Sequence, residues 1–100
     1  MAIDFVYRKS GMRSKNKPAM TALERTHVER VKALNCSVCG VEGPSEAHEI
    51  KQGQWFTSIS LCPDCHRHPV LGIHGQRTTW RVRKLDELDA LAMTIRALLA

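Results

Sequence analysis

The sequence predicts a small α+β domain held together by a metal ion more than by a large apolar core. Three observations carry this expectation. The four cysteines fall as two Cys-x-x-Cys pairs, Cys36/Cys39 and Cys62/Cys65. Two short strand-like segments lie between the pairs, and helix signatures stand on both sides of them. One hundred residues make one domain, and a chain of this size with 5% aromatic residues buries too little surface to do without a staple.

The elements follow in order. Residues 1–18 carry Arg8, Lys9, Arg13, Lys15 and Lys17 against a single Asp4, with Gly11 and Pro18. That composition predicts a basic flexible arm, in which 2–7 could pair as a short edge strand. The domain proper is 19–100. Thr21-Ala22-Leu23-Glu24 matches a capping box, in which the Thr hydroxyl and Glu carboxylate satisfy orphan amides reciprocally. Leu23, His27, Val31 and Leu34 then trace one stripe of a helix ending near Asn35, with Arg25, Glu29 and Lys32 towards solvent. His27, on that stripe, reads as a packed helix residue rather than a ligand.

Strands are expected at 46–50 and 56–61, joined by a loop around Gly53. In the second, Thr57, Ile59 and Leu61 face one way and Phe56, Ser58 and Ser60 the other. A short helix is expected over 76–83 and a longer one over 86–99. Leu88, Leu91, Ala92, Ile95, Leu98 and Leu99 read as the buried face of the last, a core face or a dimer seam. Asp86, Glu87 and Asp89 complement its N-terminal dipole.

The closed tetrahedral shell of a structural zinc site is the natural use of four thiols from two tight turns. The 22 residues between the pairs leave room for a β-hairpin. Such a shell does no chemistry. A second group could: a hairpin that sets the first strand beside the residue after Cys65 brings His48, Glu49 and His66 together, with His74 eight residues further on. Imidazole and carboxylate around an open position suit a hydrolytic divalent ion. The plain alternative is a set of surface histidines scattered around a zinc ribbon.

The formal charge is +5 and the sequence pI about 9.3. Basic residues bracket the cysteine-rich centre, since Arg77, Arg81, Arg83 and Lys84 follow the last histidine. This favours nucleic acid as partner over arms that merely aid solubility. Arg67, Arg77, Arg81, Lys84, Lys15 and Lys17 are the candidate phosphate contacts. Arg77, Arg81 and Lys84 share a face if the chain from 76 to 84 is helical. Trp55 and Trp80 read as packing residues before base-stacking ones. No run of 18 apolar residues exists, so no membrane helix is expected. The first residues do not have the form of a secretory signal, and metal-type cysteines suit a reducing cytoplasm.

Cys-x-x-Cys, then Ala47-His48-Glu49-Ile50, then Ser60-Leu61-Cys62-Pro63-Asp64-Cys65-His66 resembles the zinc-bearing HNH endonuclease motif, the ββα-metal or His-Me finger. Gly72-Ile73-His74-Gly75 followed by Trp80 is similar, more narrowly, to the phage recombination-enhancement nucleases that act with a RecA-type recombinase. The resemblance spans about residues 36–80. It implies a zinc-stapled ββα-metal core, here flanked by the N- and C-terminal helices, and a DNA endonuclease in phage or prophage recombination; low sequence specificity is expected because no recognition helix with base-reading side chains is apparent. It also implies a catalytic Mg²⁺ or Mn²⁺, with His66 as a metal ligand and His74 as a further ligand or phosphate contact.

The first strand departs from the family, which reads His-His or Asp-His where this chain has His48-Glu49. Either His48 is a ligand and Glu49 the general base, or His48 is the base and Glu49 or Glu46 binds metal. Thr57 stands where the family's middle Asn is expected. Two other functions stay open. One is a degenerate, non-cutting zinc-ribbon DNA-binding module; the other is an interaction protein that holds a recombination or packaging partner through the final helix.

Overall fold

Helix formation begins where Thr21 caps it. The Thr21 hydroxyl accepts the Glu24 amide at 3.1 Å and the Glu24 carboxylate accepts the Thr21 amide at 2.8 Å, so the capping box is complete and α1 runs Ala22–Lys32. The computed structural model describes residues 19–100. The basic arm over 1–18, with Lys15, Lys17 and the strand expected at 2–7, lies outside the described residues.

α1 stops three residues short of the expected end because its C-terminal carbonyls and side chains turn to the following loop. Ser45 Oγ donates to Leu34 O at 2.6 Å, and Asn35 Oδ1 accepts the Gly43 amide at 3.1 Å. The buried stripe is also rotated from expectation: Val28 and Val31 are buried, whereas Leu23 is 70% exposed. His27 packs beside Phe56, ring centroids 5.2 Å apart, as a helix residue and not a ligand.

Two antiparallel strands form the sheet, β1 (Glu46–Glu49) and β2 (Ser58–Leu61), with Glu46 opposite Leu61 and His48 opposite Ile59. β2 begins two residues later than expected. Trp55–Thr57 instead forms a 3-10 turn, and Thr57 Oγ1 donates to Gln54 O at 3.1 Å within the hairpin loop. α1 and the C-terminal helix both lean on β2. All four β2 residues are therefore buried, and the expected alternation of exposure is lost.

A short helix absent from the sequence reading, α2 (Pro63–Arg67), starts on the second cysteine pair. Cys62 is its N-cap, Pro63 its first residue. α3 is confined to Thr78–Arg83 by Arg77 and Lys84, which sit at φ 60° and 58° in the left-handed region. These two basic residues therefore flank the helix and are not part of one continuous helical face. Trp80 is 1% exposed and its indole N–H donates to Cys65 O at 2.9 Å, so it is a packing residue.

The last helix, α4 (Glu87–Leu99), begins with a second capping box, Asp86 with Asp89. Its buried face shares only Leu91, which packs at the edge of the core, with the expected leucine stripe. Ala90 and Thr94 are 0% exposed, whereas Leu88 is 71% and Leu99 81% exposed. Ala90 is small enough for close approach, and Thr94 joins a buried hydroxyl cluster. Ser37 Oγ lies 2.7 Å from both Ser60 Oγ and Thr94 Oγ1, and Thr94 Oγ1 donates to Ala90 O at 2.9 Å. Hydrogen bonding at Thr94, with Ala90 and Leu91 packed beside it, thus sets which side of α4 faces inward. The core gathers Val38, Ile59, Leu61, Ile73, Trp80 and Ala90 around the cysteines. The described residues thus form a small α+β fold with one two-stranded sheet and four α-helices. Among the described residues, no helix is long and apolar enough to cross a membrane.

Candidate metal centres

The two cysteine pairs converge. Cys36, Cys39, Cys62 and Cys65 bring one sulfur each to within 4.8 Å of one another, and none is in a disulfide. Each pair sits on a turn that aims an amide at a sulfur: Cys39 N donates to Cys36 Sγ at 3.5 Å, and Cys65 N to Cys62 Sγ at 3.4 Å. Gly40, at φ 79°, supplies the left-handed step that closes the first turn. Burial pushes the Cys36 thiol up, but donation from the backbone of Cys39, Cys62 and Val38 outweighs it and lowers the pKa to about 7. At Cys65 and Cys62 burial prevails and raises the pKa, and the neighbouring Cys36 charge adds to it. A cation would offset these opposed tendencies, because each sulfur must be deprotonated to bind. Cys39 Sγ and Cys62 Sγ are 3.7 Å apart, and an S₄ tetrahedron with zinc–sulfur bonds of about 2.3 Å has an edge of about 3.8 Å. The donor set and its size fit structural zinc.

A second group forms on the other side of α2. His48 of β1, His66 of α2 and His74 of the following loop each bring a ring nitrogen to within 4.8 Å of the others. Ring centroids are 4.8–5.1 Å apart pairwise. His66 is placed by its chain position, one residue after Cys65, so the thiolate turn also delivers an imidazole. His74 is placed by the loop: Ile73 N donates to Cys65 O at 2.9 Å and His74 N to His66 O at 3.1 Å. Glycine is required beside it, because a Cβ at Gly75 would lie 2.1 Å from Pro69 O and one at Gly72 would lie 2.7 Å from His68 N. The Nε2 atoms of His66 and His74 are 3.1 Å apart. That matches the edge of about 3.0–3.3 Å expected for two nitrogen donors on one octahedral or tetrahedral ion.

Two carboxylates orient these rings. His66 Nδ1 donates to Glu46 Oε1 at 2.8 Å, which leaves Nε2 to face His74. This is the carboxylate–histidine arrangement that fixes a ligand's tautomer and direction. Glu87, the first residue of α4, places Oε2 2.6 Å from His48 Nε2. Glu46 is itself held by Arg67, whose Nε and Nη2 reach its oxygens at 2.6–3.0 Å. The Arg67 guanidinium beside it, against a smaller opposing effect of burial and with help from His66, lowers the Glu46 pKa to about 2.

The histidines open into a cleft of about 510 Å³ that Glu49, Arg77 and Glu87 also line. His48, His66 and His74, expected from sequence as one group, are therefore together. Glu49 borders the same cleft and its Oε1 accepts the Gly53 amide at 2.8 Å. Thr57 bonds the hairpin loop. Glu46, one of the alternative metal ligands, is engaged by His66 and Arg67. Arg77 reaches the cleft with its Nε donating to Ile73 O at 3.2 Å, and Arg81 and Lys84 are exposed beyond it. Arg67, expected among the phosphate contacts, is bound to Glu46.

Sequence reasoning missed Glu87, which it placed only as a helix-dipole residue. Nothing local marks it, because its partner His48 is 39 residues away. Comparison with family models, curated proteins and solved structures returns no match.

Proposed function

We propose that the chain is a metal-dependent DNA endonuclease of the HNH type, hydrolysing phosphodiester bonds with little sequence preference. The observation that carries this reading is the convergence of His48, His66 and His74 at one open cleft, each ring brought there by a different element.

In this reading the three imidazoles would hold a divalent ion, Mg²⁺ or Mn²⁺. When bound, the ion supplies Lewis-acid stabilisation of charge on the scissile phosphate and the departing oxygen. Glu49, at the cleft wall, accepts the proton of the attacking water. Glu46 and Glu87 keep His66 and His48 aimed. Arg77 inside the cleft, with Arg81, Arg83 and Lys84 outside it, attracts the phosphate backbone. These contacts position a duplex without reading its bases.

One observation favours a second reading, a DNA-binding module that does not cut. The carboxylate in the base position, Glu49, is already held by the Gly53 amide. Incubation with supercoiled plasmid and Mg²⁺ or Mn²⁺, with a chelator control, separates the two. Metal-dependent nicking that is lost in a folded His66→Ala variant supports the nuclease. Retarded but uncut plasmid under every metal tried sinks it and leaves the binding module. Comparing His48→Ala with Glu49→Gln identifies the base as the residue whose loss stops turnover while metal still binds.

A further inference from the structure

α4 presents two different faces. Ala90 and Thr94 point into the chain's own core, while Leu88, Ala92, Ile95 and Leu99 recur at spacings of four, three and four. That is the seam pattern of a two-helix coiled coil. At about 100° per residue the seam lies about 150° round the helix from the buried pair, so one face does not serve the other. A groove of about 730 Å³ runs along it, lined only by residues of α4 and Ala100. Leu88 and Leu99, at its two ends, are the most exposed leucines of the described chain.

The charges say what fits there. α4 carries Glu87 and Asp89 in its first turn and Arg96 in its last, and Asp89 and Arg96 stand on the seam edge away from Ala90 and Thr94. A parallel copy would set acidic first turns against each other. An antiparallel copy sets each acidic first turn against the partner's Arg96 and opposes the two helix dipoles. It also pairs Leu88 with Leu99 and Ala92 with Ile95, in both directions. A face that is complementary to itself only when reversed suits a twofold contact.

We propose that this face docks a second copy of the chain, α4 against antiparallel α4. Four seam residues a side fall short of the roughly 800 Å² per partner of a standard stable interface. The dimer is therefore weak, with a Kd on the order of 100 µM. The inference stands independently of the nuclease reading.

Sedimentation equilibrium of the zinc-loaded full chain, from about 10 µM to about 1 mM, tests it across that Kd. The mass should rise from the 11.3 kDa of one chain towards twice that value. Ala92→Glu puts a charge on the seam at an exposed helical position and should weaken association about tenfold or more. Arg96→Glu should weaken it about fivefold. Leu88→Gln, at a site already open to solvent, is the control should Ala92→Glu disturb the helicity seen by circular dichroism, and should weaken association likewise. A wild-type mass that stays at one chain throughout overturns the proposal, whether the arm over 1–18 or another protein covers the groove. Association unchanged in the folded seam variants overturns it too. Tighter association in Arg96→Glu overturns the antiparallel arrangement.

Discussion

Glu87 Oε2 lies 2.6 Å from His48 Nε2 across 39 residues of chain, so the first residue of the last helix holds a side chain of the first strand. The two are far apart in the described chain, and the docking of α4 on β2 brings them together. His48 is 7% exposed at its side chain and Glu87 30%, which keeps water from competing fully for the contact.

Replacing Glu87 with Gln is expected to leave the fold intact and to lower divalent-ion affinity at the histidine cleft about 10- to 100-fold, the usual cost of losing an outer-shell partner. Calorimetric titration with Mn²⁺ or Co²⁺ of the zinc-loaded protein measures it. Glu46→Gln, which loosens His66 in the same way, should fall in the same range. Wild-type affinity in both variants would show that the carboxylates do not orient the rings.

Removing the ion held by the four cysteines is expected to unfold the domain rather than relax it. A structural zinc contributes about 10–16 kcal/mol in small domains at neutral pH, at or above the whole stability of about 5–15 kcal/mol of a typical fold. A strong chelator, or Cys65→Ser, should abolish the near-ultraviolet dichroism of buried Trp80. A chelator-treated sample that keeps its cooperative thermal transition would contradict this.

Thr94→Val is expected to destabilise by about 1–3 kcal/mol, although it adds apolar surface to a buried site. It removes the hydroxyl that Ser37 Oγ meets at 2.7 Å and that accepts the Ser60 amide at 3.3 Å, and an unmet buried donor costs that much. Thr94→Ser keeps the hydroxyl and should recover most of the loss. Denaturant titration at fixed zinc separates the two variants.

Arg67 and Arg81 should behave differently towards DNA despite both being exposed arginines. Arg81→Ala is expected to reduce the dependence of log affinity on log salt by about one. Arg67→Ala should leave that slope nearly unchanged, because its guanidinium is bound to Glu46, and should instead weaken metal binding by freeing Glu46 from its place. Fluorescence anisotropy on a short duplex over a salt series reads both.

The centres were legible from the chain where covalent spacing does the work. Two Cys-x-x-Cys turns announce a shared ion because each turn presents two sulfurs whatever surrounds it. The capping box at Thr21 was legible for the same reason, since it closes within four residues, whereas Asp86 and Asp89 were read only as acidic residues suiting the helix dipole. The face of α4 was not. Its fully buried positions are an alanine and a threonine, Leu91 packs only at the edge of the core, and Leu88 and Leu99 point outward, so a reading by hydrophobicity rotates the helix away from its true inward face. Glu46 and Glu87 were misjudged because their partners, His66 and His48, are set by tertiary packing and leave no trace at neighbouring positions.

His66 follows Cys65 directly, and the Cys65 carbonyl takes both the Trp80 indole and the Ile73 amide. The turn that receives the thiolate-bound ion is thereby the foundation of the histidine cleft. Opening the cysteine site is therefore expected to scatter the three imidazoles as well, so that a cation added to the zinc-free chain would find no preassembled trio.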